Sequence, residues 1–83
     1  PEYAAPELIS GESPDGRSDI YSLGLSAWTL LAGRDWATGD SVQEIFVKQM
    51  VDEVTPIEEV VPGVPADLAL VIRTATAKRV EDR

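Results

Sequence analysis

Eighty-three residues make at most one small domain, which buries only about 60–65% of the surface its unfolded chain exposes, so its core alone is marginal. Cysteine and histidine are both absent, which excludes disulfide staples and a structural zinc site. Fifteen acidic against seven basic residues give a net charge of −8, and a chain so acidic is repelled by nucleic acid and by anionic membranes. The longest apolar stretch, residues 20–32, carries Ser22, Ser26 and Thr29 and is shorter than the ~20 residues a bilayer requires. The start at Pro1 has neither the basic nor the apolar region of a signal peptide. Both ends, Pro1 and the charged run 78–83, are expected to be cuts in a longer polypeptide, so that function belongs to the larger protein.

In chain order, the spacing predicts an all-α segment with no repeats. Pro6-Glu7-Leu8-Ile9-Ser10 has proline where a helix starts and Gly11 where one stops, which suits a single turn followed by a loop over 11–16. Ser18 or Asp19 then caps a helix to about Ala32, stopped by Gly33. Two apolar stripes run along it. One is Ile20, Leu23, Ala27, Leu30 and Leu31, and the other is Tyr21, Leu25, Trp28 and Ala32. A helix apolar around most of its circumference belongs inside a larger protein.

Ser41-Val42-Gln43-Glu44 reads as a capping box, with the serine accepting from the N3 amide and the glutamate reaching back to the cap. This helix should run to about Asp52, with Val42, Ile45, Phe46 and Met50 on its apolar side and Gln43, Lys48 and Asp52 facing outward. Pro56, Pro62 and Pro65 predict an extended linker. A last helix starts with Pro65 as its first residue, carries Leu68, Val71, Ile72 and Ala75 on one face, and ends near Lys78 and Arg79, whose charges suit the helix terminus.

The run Pro1-Glu2-Tyr3-Ala4-Ala5-Pro6-Glu7, then Asp19-Ile20-Tyr21-Ser22-Leu23-Gly24, then Ala77-Lys78-Arg79-Val80-Glu81-Asp82-Arg83, resembles the A-P-E motif, the D-x-x-S-x-G helix and the arginine-ending motif of the eukaryotic-like, bacterial Hanks-type serine/threonine protein kinases. The resemblance spans essentially the whole chain. It implies the helical part of a kinase C-terminal lobe: a short turn helix, a central buried helix and two further helices, with 1–83 as a partial kinase domain truncated at both ends. It also implies an ion pair between Glu7 and Arg83, with Asp19 anchoring a catalytic loop. Pro1, Glu2, Tyr3 and Ala4 would form part of the pocket for the substrate residue after the phosphorylated one. Gly24 would allow close approach of a neighbouring chain.

The chain departs from the pattern in two places. Arg79 and Val80 replace a common Asp-Pro pair, and Thr29 stands where some basic-directed kinases carry glutamate. Tyr21 in place of tryptophan resembles the bacterial branch.

Phosphoryl transfer needs a glycine-rich cover, a lysine–glutamate pair, a proton-accepting aspartate and magnesium ligands. The sequence has none of these motifs, so no catalytic or metal residue is assigned, and the segment alone is expected to be inactive. ATP and magnesium are expected for the longer protein. The expected partners are a protein substrate and the remainder of the kinase domain, without nucleic acid or membrane contact by this segment, in the cytoplasm. Any membrane helix of the longer protein would lie outside these residues. The competing reading is the C-lobe of a pseudokinase or docking module that binds proteins without catalysis.

Overall fold

The computed structural model describes residues 3–9, 11 and 16–83, with residue 9 described by its backbone alone. Pro1 and Glu2 of the expected substrate pocket, Ser10, and most of the loop expected over 11–16 lie outside the described residues. The chain is all-α: α1 (Pro6–Ile9), α2 (Gly16–Ala32), α3 (Val42–Val51), α4 (Ile57–Val60), α5 (Ala66–Ala75) and a 3-10 turn (Val80–Asp82), with no strand among the described residues.

Glycine supplies the helix stops where the chain must turn left-handed. Gly33 has φ 75° and donates its N–H to the Thr29 carbonyl, and Gly11 has φ 87° and donates to Leu8, as a side-chain-free residue allows. Ser41 is extended and its hydroxyl accepts from the Glu44 amide. The Glu44 carboxylate, however, reaches one residue further back than a capping box requires and accepts from the Asp40 N–H at 2.7 Å.

One face of α2 makes the core. Ser18, Tyr21, Gly24, Leu25 and Trp28 are buried, at the spacing of a single helical face. Tyr21, Leu25 and Trp28 join Ala5, Trp36, Ala37, Ile57, Ala69 and Ile72 in the apolar cluster, and α5 and α4 pack against α2. The α2–α5 crossing is close: a Cβ on Gly24 would stand 2.8 Å from the Ala75 Cβ and 3.0 Å from the Thr76 Cγ2. The indole N–H of Trp28 donates to the Thr55 carbonyl at 2.8 Å, so this large buried side chain leaves no polar atom unpaired.

Several sequence expectations change. Helix α2 begins before Ser18, which therefore sits inside the first turn, and its hydroxyl donates to Glu7 instead of capping. The proline-rich stretch is not wholly extended. After Pro56, the turn α4 buries Ile57, because proline suits a helix start as well as a linker. There are thus three helices after α2, where two were expected. Pro65 is the cap of α5 rather than its first helical residue, with ψ 138°.

Burial on α5 follows Ala69 and Ile72, while Leu68 and Val71 are exposed. On α3 the fully buried residue is Gln49, whereas Val42 and Met50 are exposed, and Lys48 is half-buried with its ammonium on the Trp36 carbonyl. The first apolar stripe of α2 also lies open, with Leu23 at 72% and Leu30 at 84% exposure.

Candidate functional site

The most constrained polar group is Arg83, whose side chain is fully buried. A guanidinium carries five N–H donors, and here each has an acceptor. Nε donates to the Ala77 carbonyl at 2.8 Å, and Nη1 donates to Glu7 Oε2 at 2.6 Å and the Arg17 carbonyl at 3.1 Å. Nη2 donates to Glu7 Oε1 at 2.9 Å and the Lys78 carbonyl at 3.3 Å. The pairing with Glu7 is bidentate and joins residues 76 positions apart. Parallel charge-assisted bonds of this kind fix direction as well as distance.

Three elements converge on Glu7. Helix α1 presents it, Arg83 grips it from the 3-10 turn, and the Ser18 hydroxyl of α2 donates to Oε2 at 2.6 Å. The hydrogen bonds from Arg83 lower the carboxyl pKa to about 2 against the opposing effect of burial, with Ser18 adding to the lowering. The Arg83 guanidinium also lies 4.8 Å from the centre of the Tyr21 ring, where a cation is attracted to the π face. Burial raises the Tyr21 hydroxyl to about 12; the nearby Arg83 charge opposes this and Glu7 adds to it.

Ahead of α1 the backbone is held by the same helix. Ser22 donates its hydroxyl to the Tyr3 carbonyl at 2.8 Å, and the Tyr3 hydroxyl donates to Asp35 Oδ1 at 2.8 Å. Ala4 is half-buried and Ala5 fully buried. The stretch carrying Tyr3 and Ala4 is therefore tied to α2 on one side and, through Glu7, to Arg83 on the other. Asp19 is exposed in the first turn of α2. No hydrogen bond joins its carboxylate to the described residues, so the structure brings Glu7 and Arg83 together and leaves Asp19 apart.

Sequence reasoning passed over a second cluster. Lys78 donates to the Gln49 carbonyl at 2.6 Å, and its ammonium lies 4.7 Å from the Trp36 ring centre and 5.8 Å from that of Tyr21. Lys48 stands 4.9 Å from the same Trp36 ring. Burial lowers the Lys78 pKa to about 8; Asp52 and Glu53 oppose the lowering and Arg83 adds to it. Both side-chain polar atoms of Gln49 are buried without a hydrogen-bond partner. No group of three acidic, histidine or cysteine side chains that could hold a metal exists among the described residues.

No protein-family model matches the chain. Individual proteins do. It is 41% identical over 83 residues to the serine/threonine-protein kinase Pkn1 of Myxococcus xanthus, covering all of this chain and 12% of that protein. It is 37% identical over 82 residues to the serine/threonine-protein kinase PknB of Mycobacterium tuberculosis, covering 99% of this chain and 13% of that protein. Against the serine/threonine-protein kinase PknL of the same species it is 35% identical over 81 residues, covering 98% of this chain and 20% of that protein. The chain thus spans between an eighth and a fifth of the length of these relatives. In fold it matches the twitchin kinase region of C. elegans with a TM-score of 0.88 at 23% identity, over 99% of this chain and 14% of that one. Over nearly its whole length the chain thus matches a helical segment of bacterial serine/threonine-protein kinases.

Proposed function

We propose that the protein carrying this segment is an ATP-dependent serine/threonine protein kinase, and that the segment supplies its scaffold and part of its peptide-substrate platform. The observation that carries this reading is the fully occupied Arg83 guanidinium. It ties Glu7, and with it Tyr3 and Ala4 of the stretch proposed for the substrate, to the end of the chain. Positioning contributes much of phosphoryl transfer, because the protein has little covalent chemistry to perform there. A buried bidentate pair at the base of the platform serves that end. ATP and magnesium would be held by residues of the longer protein, and neither is assigned a ligand in this segment.

The open stripe of α2, with Ile20, Leu23, Leu30 and Leu31 exposed, supports a partial kinase domain whose remaining parts cover this face, since helices apolar all round are buried. In the cytoplasm, the setting proposed here, the partner of the platform is a protein bearing serine or threonine. No described helix is long and apolar enough to cross a membrane.

The test is phosphate transfer from radiolabelled ATP with magnesium to a serine/threonine peptide library by the full-length protein. Transfer is expected from the wild type, and Glu7→Gln should raise the peptide KM or lower kcat while ATP binding persists. Peptide binding with neither ATP binding nor transfer would replace the kinase reading with that of a docking module. The segment alone is expected to transfer nothing.

A further inference from the structure

Resting on the kinase reading above, we propose that a cleft between α2 and α3 is a specificity subsite, in which Arg34 and Lys48 select an acidic residue of the substrate peptide. The cleft has a volume of about 240 Å³. Its walls come from Trp28 of α2, from Arg34, Asp35 and Trp36 of the following loop, from Lys48 of α3, and from Thr55 beyond α3. The chain has 15 acidic and 7 basic residues, so every cation has carboxylates in surplus to pair with. Arg73, Arg79 and Arg83 each take one. The exposed Arg34 guanidinium takes none among the described residues. Lys48 has three N–H donors, of which one goes to the Trp36 carbonyl at 2.8 Å and the other two meet no acceptor among the described residues.

The cleft keeps this charge in place. The Lys48 ammonium is fixed by the Trp36 carbonyl and by the Trp36 ring, whose centre is 4.9 Å away, so little further ordering is needed when a ligand binds. The indole N–H groups of Trp28 and Trp36 are spent on Thr55, at 2.8 Å and 3.2 Å. Their apolar rings exclude water and so strengthen a charge pair beside them. Asp35 opposes an anion, but it is one carboxylate against two cations among the lining residues. Its Oδ1 also accepts from the Tyr3 hydroxyl at 2.8 Å. Glu44 and Asp52, one turn to either side of Lys48, do not line the cleft, and Glu44 is held by the Asp40 N–H.

The bond between Tyr3 and Asp35 also names the occupant. Tyr3 belongs to the stretch proposed for the substrate, its carbonyl is held by Ser22, and its hydroxyl reaches the wall of the cleft. The cleft thus begins one tyrosine side chain away from that stretch, within reach of a peptide bound along it. Its volume admits a single side chain rather than a folded partner. The guanidinium fork of Arg34 and the two open donors of Lys48 suit a carboxylate, which accepts charge-assisted hydrogen bonds. The occupant is therefore an aspartate or glutamate of the peptide.

To test this, the full-length protein is titrated with short fluorescein-labelled peptides that carry one central serine in an uncharged background. Aspartate or asparagine is placed at each other position in turn, and binding is followed by fluorescence anisotropy. At one position aspartate should bind about fivefold tighter than asparagine at low salt, the upper range for a single exposed ion pair, and the ratio should fall at high salt. Arg34→Gln with Lys48→Gln should bring the ratio to about one. Lys48 also holds the Trp36 carbonyl, so Arg34→Glu alone is the second variant, with no partner to lose among the described residues. It should lower the ratio and favour lysine over asparagine at the same position. Arg73→Gln, a cation outside this cleft, should leave the ratio as it is. Equal binding of aspartate and asparagine at every position, a ratio unmoved by the Arg34 and Lys48 changes, or one that Arg73→Gln lowers equally overturns the proposal. Phosphate transfer from ATP to the same peptides is measured in parallel. Selective binding without transfer ends the kinase reading and keeps the cleft as an acidic-peptide site, whereas transfer without selection overturns the cleft and leaves the kinase reading intact.

Discussion

The two apolar faces of α2 are nearly alike in composition and opposite in fate. The face of Tyr21, Leu25 and Trp28 is buried against α4 and α5, and Gly24 lets α5 approach within van der Waals distance. The face of Ile20, Leu23, Leu30 and Leu31 has no such cover among the described residues. Periodicity identifies an apolar face, but burial requires a partner. The inner face also has a polar end, where Ser18, Glu7 and Arg83 meet. The inner face is therefore set by specific geometry, whereas the outer face is set only by whatever apolar surface it meets.

The sharpest way to break that contrast is at the polar end. Glu7→Gln leaves the fully buried Arg83 guanidinium without its counter-charge, and removing one partner of a buried pair costs about 3–5 kcal/mol. Urea unfolding of the full-length protein should show a loss of this size. A loss under about 1 kcal/mol would mean that the pair behaves as an exposed one.

The outer face offers the next largest effect, and it sharpens the comparison because it depends on the rest of the polypeptide. Leu30→Ala should cost about 2–4 kcal/mol in the full-length protein if that face is covered. In the 83-residue segment, where Leu30 is exposed, the same change should stay within about 0.5 kcal/mol. Equal small losses in both settings would show that the face is open in the whole protein too.

Returning to the inner face, Gly24→Ala sets two effects against each other. Alanine gains about 1 kcal/mol as the better helix former. Its methyl, however, would stand 2.8 Å from the Ala75 Cβ, with the Thr76 Cγ2 at 3.0 Å, and overpacking a tight contact costs about 1–3 kcal/mol. A net loss of about 1 kcal/mol is expected in thermal or urea unfolding. A more stable variant would show that α5 yields at this crossing.

Local signals made much of the fold legible. Gly33 and Gly11 mark stops, Ser41 with Glu44 marks a start, and their chemistry is decided within four residues. What was not legible depends on distant partners. Ser18 looks like a cap by type, yet the Glu7 carboxylate draws its hydroxyl away. Pro56 reads as a breaker, yet it opens the turn that buries Ile57. Gln49 is polar by type, and nothing local announces that it is fully buried with its amide unpaired. Glu7 and Arg83, 76 residues apart, leave no periodic trace, and only the resemblance between motifs singles them out. Lys78 reads in sequence as a charge at a helix end. Its position over Trp36 and Tyr21 requires three segments to converge, which no single window of sequence displays.

The pH dependence isolates the polar end of the inner face from its apolar remainder. Glu7 has a folded-state pKa of about 2 against an ordinary 4.5, so the folded form binds this proton less readily than the unfolded chain does. Its contribution is fully present above about pH 4.5, is lost progressively as pH falls toward 2, and changes stability by at most about 1.4 kcal/mol per pH unit. Other carboxylates titrate in the same range, so the wild type alone cannot assign the slope. Glu7→Gln removes this one group, and the difference between the wild-type and variant stability curves should stay constant from pH 8 to 5 and shrink below 4.5. A difference that instead grows as pH falls from 7 to 5 would place the Glu7 carboxyl above its ordinary 4.5, in a site where burial outweighs the two hydrogen bonds from Arg83. The stability of the inner face at neutral pH would then rest on Tyr21, Leu25 and Trp28 rather than on the anchor.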